Sequence, residues 1–325
     1  MLIQASRRQA LLTAPLLISA GAAAQSTAVN AVEAAMTRFA AIDGTVSALV
    51  VVDDPAGAWE LGHQPELPLF VGSVVKTFIL AAYLLGVESG GLTLTEQLPV
   101  NDEVRSLVSP VLGELTGTMP ARSVLEAMIT HSDNTATDIA IKRVGVDAVR
   151  ALIARAGVAE TRVPDSTRRL FSYLAGAAPG QDLGWAGMEG VIADRLPGAP
   201  RPIINDAQTM AAPARALVNW YRYVLSGRLF AQPIALAEFR RISAMADAMA
   251  FIVPPDIAAY GKGGSVVWHG ENALSVAGQM VIRGIPATFC FTNNWRGGPE
   301  SMAPTTSAMI AGARDILAAV ATRTG

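Results

Sequence analysis

Strand-forming segments stand at both ends of this chain, and the long stretch between them, from about residue 70 to residue 250, reads as mostly helical. Val46–Val52 is rich in β-branched residues, Asp53-Asp54-Pro55 makes a turn, and Ala58–Leu61 can pair back. Strand character returns only after Gly261. Ser265–Trp268, Ser275–Ile282 and Ala287–Asn293 read as three antiparallel strands, with Arg283-Gly284 at one turn. Helical apolar spacing over residues 28–42 and an alanine-rich closing helix over 301–322 flank them. The expected fold is therefore α/β (α+β): an antiparallel sheet from both chain ends flanked by helices, with an inserted all-helical lobe. The α/β lobe takes about residues 27–68 and 255–325 and the helical lobe about 69–254. Thr209–Leu225 is expected as a structural helix, and residues 157–206 carry prolines, glycines and arginines with weak periodicity.

Half of the 325 residues are apolar and 16% are charged, which argues against disorder and for a full core. A net charge of −2 with no basic stripe gives nucleic acid no footing. Residues 1–24 read as an export signal. Ser6-Arg7-Arg8 opens a charged segment with a twin arginine, an apolar run follows through Ile18, and Ala22-Ala23-Ala24 is a cleavage site of small residues. That run is too short to span a bilayer comfortably, so a periplasmic or secreted protein without a stable membrane anchor is expected. Cleavage would remove Arg7 and Arg8 and leave the mature chain near a charge of about −4. Cys290 stands alone in a strand-like segment and is expected to be a buried structural thiol.

Only three of the 25 basic residues are lysines: Lys76, Lys142 and Lys262. A chain so biased toward arginine keeps lysine where a compact amine able to lose its proton is needed. Lys76 lies in Ser73-Val-Val-Lys76, on a segment from Phe70 to Leu85 that is apolar on almost every face and so expected to be buried. Ser73 and Lys76, three apart, share one face of a helix. A desolvated lysine there can take a proton from Ser73. Ser132-Asp133-Asn134 follows an apolar helix in a polar turn, where Ser132 can relay a proton and Asn134 hold a substrate amide. Lys262-Gly263-Gly264-Ser265 enters the first C-terminal strand. Its glycines permit close approach to the backbone, and Lys262 offers positive charge to a carboxylate. Each motif alone has an ordinary structural explanation, as a cap, a turn or a Gly-rich hairpin start. Their order and spacing together point to acyl transfer on a serine.

On these motifs, and on Ala127-Met-Ile-Thr-His-Ser-Asp-Asn-Thr-Ala136, the chain resembles the serine β-lactamase and penicillin-binding protein superfamily, most closely class A β-lactamases, over roughly residues 30–320. The resemblance implies Ser73 as the acylated nucleophile, Lys76 as its base and Ser132 as the proton donor to the leaving nitrogen. It implies Asn134 and Lys262 as contacts to the substrate amide and carboxylate, and the Ser73 and Ser265 amides, beside Gly264, as oxyanion donors. It further implies a monomer acting on a small molecule (a β-lactam, or an ester or peptide of the same reactivity), with no cofactor and no metal.

Two positions depart from the family. Its loop glutamate and asparagine fall at Thr167 and Phe171, and Asp165 is the only acid between 161 and 181. Gly263 stands where threonine or serine is usual. Acylation is expected to survive both changes and rapid deacylation is not. Among weaker signals, His131 and His269 can border the cleft and His63 a surface. Arg162, Arg168 and Arg169 are expected to hold their loop by ion pairs. Trp185, Trp268 and Trp295 read as packing or rim aromatics, and Lys142 as solvated.

Overall fold

A computed structural model of the chain describes residues 30–324. The expected export segment and its cleavage site near Ala24 lie outside the described residues. A first helix α1 (residues 30–40) leads into β1 (Thr45–Val52), β2 (Trp59–His63) and a short β3 (Leu69–Phe70). A 3₁₀ turn, Gly72–Val75, opens directly into α2 (Lys76–Glu88). The hairpin of β4 (Gln97–Val100) and β5 (Gly117–Pro120) precedes α3 (Ala121–Thr130), α4 (Asn134–Val144) and α5 (Val146–Arg155). Two short helices, α6 (Thr167–Leu174) and α7 (Gly184–Ile192), lie in the weakly periodic segment. After them come β6 (Ala211–Ala212), α8 (Ala214–Leu225), α9 (Pro233–Ser243) and α10 (Asp247–Ile252). The chain closes with β7 (Ala258–Trp268), β8 (Glu271–Ile282), β9 (Ile285–Arg296) and α11 (Pro299–Thr324).

The two chain ends share one five-stranded antiparallel sheet in the order β2-β1-β9-β8-β7. Its centre is β1 against β9, with Leu49 opposite Cys290 and Val50 opposite Phe289. Successive strand residues face opposite sides, and both sides of β9 are covered. Phe291 packs on Phe39 of α1 with ring centroids 5.3 Å apart, whereas Cys290 faces α8, whose Tyr221 is wholly buried. Burial pushes the Cys290 thiol up to about 12, so it is inert at neutral pH. The apolar segment after Ser73 forms α2, buried continuously from Lys76 to Leu84 and wedged against α8 by Phe78 on Trp220. Among the described residues no helix is long and apolar enough to cross a membrane.

The stretch read as an all-helical lobe also holds the β4–β5 hairpin and the β3–β6 pair, and two element boundaries shift from the sequence reading by five residues or more. β7 begins at Ala258, not Ser265, because Ala258-Ala259-Tyr260 pair with Val281-Met280-Gln279 of β8. Cross-strand partners outweigh the low strand propensity of alanine and glycine. The Lys-Gly-Gly motif therefore lies inside an edge strand rather than at its entrance. The helix expected from Thr209 starts only at Ala214, because Pro213 is extended (φ −69°, ψ 150°) and Ala211–Ala212 pair with Leu69–Phe70.

Candidate active site

Ser73 is positioned by the sheet. Asn294 of β9 clamps the chain just ahead of it, accepting from Phe70 N at 2.8 Å and donating to Phe70 O at 2.9 Å. Gly72 then turns with φ +54° into the 3₁₀ turn. In a 3₁₀ turn side chains three apart eclipse, which sets Ser73 and Lys76 in one line. Ser73 is half-buried, and among the described residues its hydroxyl makes no hydrogen bond. Lys76 is wholly buried. Its Nζ donates to Ser132 O at 2.6 Å and Asn134 Oδ1 at 2.7 Å, with Ser132 Oγ at 3.4 Å and Asp133 O at 3.5 Å. Burial pushes its pKa far below the ordinary lysine value and the charge of Lys262 adds to this, while Asp133 and Asp138 oppose it.

The Ser132 loop is held from beneath. Asp133 caps α4 by accepting from Ala136 N at 2.8 Å, and its second oxygen accepts from Val111 N and Leu112 N. Ser132 itself lies in the left-handed region, φ +58°, a conformation that costs energy for a residue with a Cβ and that this network enforces. Asn134 uses its carbonyl on Lys76 and one amide proton on Leu107 O at 2.7 Å. One amide proton remains for a substrate. Its first task in this structure is thus to orient the lysine.

Three glycines shape β7. A Cβ at Gly264 would overlap the Val71 carbonyl and lie 2.6 Å from Ser73 N, so this glycine admits the chain's own 3₁₀ turn, not only a substrate. A Cβ at Gly72 would lie 2.9 Å from Ser265 N. The two glycines thereby let the turn that carries Ser73 and the strand that carries Ser265 meet backbone to backbone. On the opposite face Gly261 and Gly263 meet α10, where a Cβ would come within 2.6 Å of Met249 Sδ and of Ala248 Cβ respectively. Lys262, on the Gly264 face, is buried and donates to Gly263 O at 2.8 Å. Burial lowers its pKa to about 8, opposed by Asp247. Ser132, Lys262, Gly264 and Ser265 line a single cavity of about 320 Å³.

The loop expected to supply deacylation turns no carboxylate toward this cleft from Asp165, Thr167 or Phe171. Thr167 is wholly buried, its hydroxyl 2.8 Å from Asp138 Oδ1 and from Ser106 Oγ. Asp138 also accepts from the Thr167 and Arg168 amides at 2.6 and 3.0 Å. Its burial pushes the carboxyl up to about 6 against those hydrogen bonds. Asp165 is turned away, bound by Arg150 at 2.7 Å and Gln208 at 2.8 Å, with Arg169 at 3.6 Å. Phe171 packs at the end of β7, its ring 6.3 Å from that of Trp268. Arg168 pairs with Asp182 through both carboxylate oxygens and Arg162 lies 3.8 Å from Asp206.

The remaining candidates sit outside the chemistry. His269 occupies the β7–β8 turn with φ +42°, edge-on to Trp268. His131 is the exposed C-cap of α3, and His63 contacts Gln64. Trp295 is buried, Arg105 lies over Trp185, and Lys142 pairs with Glu103 at the surface. Among the described residues no group of three or more His, Cys, Asp or Glu is placed to hold a metal. Sequence reading missed Asp138 and Asn294. Asp138 was detectable, because it follows Asn134 by four residues on a helix and so shares its face. Asn294 carries no local signal, since its role depends on β9 lying beside β3.

Comparison with known proteins agrees with this architecture. The chain superposes on a beta-lactamase from Sphaerobacter thermophilus with a TM-score of 0.70 at 21% identity, covering 91% of this chain and 97% of that one. A beta-lactamase from Chitinophaga pinensis gives 0.69 at 17% identity, with 90% and 99% covered. One from Xanthomonas campestris pv. campestris gives 0.68 at 18%, with 89% and 97% covered. At such identities the likeness is one of fold. No curated protein sequence matches the chain. The sequence model of the beta-lactamase enzyme family, however, matches residues 28–218, more than half of the chain. The chain belongs to the beta-lactamase enzyme family.

Proposed function

We propose that the protein is an exported serine hydrolase that opens β-lactam amides through an acyl-enzyme on Ser73. The observation that carries this reading is the Lys76 amine. It is fully buried, its charge is disfavoured, and it is held by Ser132 O and Asn134 Oδ1 one turn from an unengaged serine hydroxyl. Neutral Lys76 takes the Ser73 proton as Oγ attacks the lactam carbonyl, and the Ser73 and Ser265 amides receive the oxyanion. The C–N bond then breaks. Ser132 Oγ passes its proton to the leaving nitrogen and recovers one from the Lys76 ammonium, 3.4 Å away. Water hydrolyses the resulting ester slowly, because Thr167 stands where a carboxylate base would be and its hydroxyl is committed to Asp138 and Ser106.

Intact-mass spectrometry after mixing with a penicillin tests the proposal. A covalent adduct that outlives mixing and decays to opened product is expected, and Ser73→Ala should form none. Persistence of the adduct in Ser73→Ala would remove the nucleophile assignment. A permanent adduct would make the protein a penicillin-binding sensor. Hydrolysis of simple esters without a penicillin adduct would make it an esterase or peptidase of the same fold, a reading that the apolar lining of the cavity favours.

A further inference from the structure

The cavity that opens beside Ser132 and Lys262 continues across the Gly263 face of β7 into a space between β8, α10 and α11. Its far wall is Ala248, Phe251 and Ile252 from α10, Leu274 from β8 and Met309 from α11. Strand pairing explains the composition. Gly263 faces Val276 and Ser265 faces Leu274 across the β7–β8 ladder, so apart from the Ser265 hydroxyl the side of the hairpin turned toward α11 is apolar. At the mouth Phe251 remains 54% exposed, a large aromatic ring without cover.

The charge pattern of this space does not suit an anion. Among the described residues no arginine lines it, and the one lining cation, Lys262, is turned onto Gly263 O and faces the carboxylate of Asp247 within the same lining. Arg314, on α11, is engaged outside it, with Nε and Nη2 on the Phe251 carbonyl at 3.1 and 2.8 Å. A hydroxyl-bearing side chain at position 263 would run into Ala248, whose Cβ lies 2.6 Å from where that Cβ would be. The wall thus exchanges a polar contact for a methyl group.

Resting on the acyl-transfer reading above, we propose that this cavity is a leaving-group subsite for an uncharged apolar substituent, so that the preferred substrates carry an alkyl or aryl arm there instead of a carboxylate. The side is assigned by Ser132, which lines the cavity and faces the departing atom in the proposed reaction. The arm lies over Gly263, in contact with Ala248 and Leu274, with Phe251 closing over its outer end.

The test uses two aryl esters of one acyl group, with leaving phenols bearing a 3-isopropyl or a 3-carboxylate substituent. Each Ser73 acylation rate is divided by the ester's rate of hydrolysis by hydroxide. The isopropyl ester is expected to be favoured on the order of tenfold, the discrimination an apolar pocket gives for a few carbons. Ala248→Phe, which fills the cavity, should bring the ratio to about one, with the far-UV circular dichroism of the native fold retained. Phe251→Arg, at an exposed position that folding does not depend on, should turn the preference toward the carboxylate. Equal rates for the two esters in the unmodified protein, or a ratio insensitive to both substitutions, would overturn the subsite while leaving the acyl-transfer reading intact. No Ser73 adduct with any ester or with a penicillin would remove that reading and the subsite with it.

Discussion

At the scale of single residues, the proposed reaction depends on an amine kept neutral and a carboxylate that is absent from position 167. In that reaction Lys76 works as a neutral amine, so Lys76→Arg should cost nearly as much as Lys76→Ala, on the order of 10²–10⁴-fold in acylation rate, because the guanidinium keeps its proton. Rapid-mixing mass spectrometry measures this, and near-normal acylation by the arginine variant would exclude Lys76 as the base. Thr167 invites replacement by glutamate, but its side chain is buried against Asp138. Thr167→Glu alone therefore sets two carboxylates together and should cost about 3 kcal/mol of stability. Adding Asp138→Asn should recover most of that loss, and the double variant should deacylate faster than the unmodified protein. Thermal unfolding and adduct lifetime report the two effects. A double variant no more stable than Thr167→Glu would show that Asp138 is not the obstacle. The alignment of Ser73 with Lys76 was legible in the sequence because residues three apart share a face in a helical turn, here a 3₁₀ turn opening into α2, and Asn134 was legible from its tripeptide motif. Asn134's attachment to Lys76 was not, because the two lie 58 positions apart.

At the scale of elements, β7 and the 3₁₀ turn form one working unit. Gly264 is the point where the strand touches the turn, and the clash there is with backbone atoms that cannot rotate away. Gly264→Ala should separate the Ser73 and Ser265 amides and lower the acylation rate by about 10²–10³-fold, the loss associated with one oxyanion donor. Far-UV circular dichroism should remain that of the native fold. An alanine variant that acylates at the normal rate would dismiss this contact as incidental. The glycine pair in the motif was visible in the sequence, but its purpose was not. It reads equally as a hairpin turn, and only the pairing of Ala258–Tyr260 with β8 shows that the motif lies mid-strand with helix α10 on one side and Ser73 on the other.

At the scale of the whole molecule, two lysines are buried where the sheet meets the helices, and this ties stability to pH. Lys262 keeps its proton up to about pH 8 in the fold and, from its ordinary value, up to 10.5 when unfolded. Between those values the unfolded chain binds the extra proton, so stability should rise with pH, by roughly 3 kcal/mol across the window. Below about pH 8 both states carry the charge and the fold bears its full cost. Lys262→Met should flatten the slope between pH 8 and 10.5 in urea titrations, leaving the part due to Lys76. An unchanged slope would show that Lys262 is not buried in solution. Taken alone, the sequence determined the strands at both chain ends, their closure into one sheet and the helical character of most of the stretch between them, and it singled out Ser73 and Lys76 as a spaced pair. These follow from periodicity, propensity and spacing, which act over a few residues. Tertiary structure alone decided that Asp138 seals Thr167, that Asn294 aims the 3₁₀ turn and that an apolar cavity lies beyond Gly263. Each of these is a contact between residues distant along the chain, fixed only when strand register and helix packing bring their side chains within bonding distance.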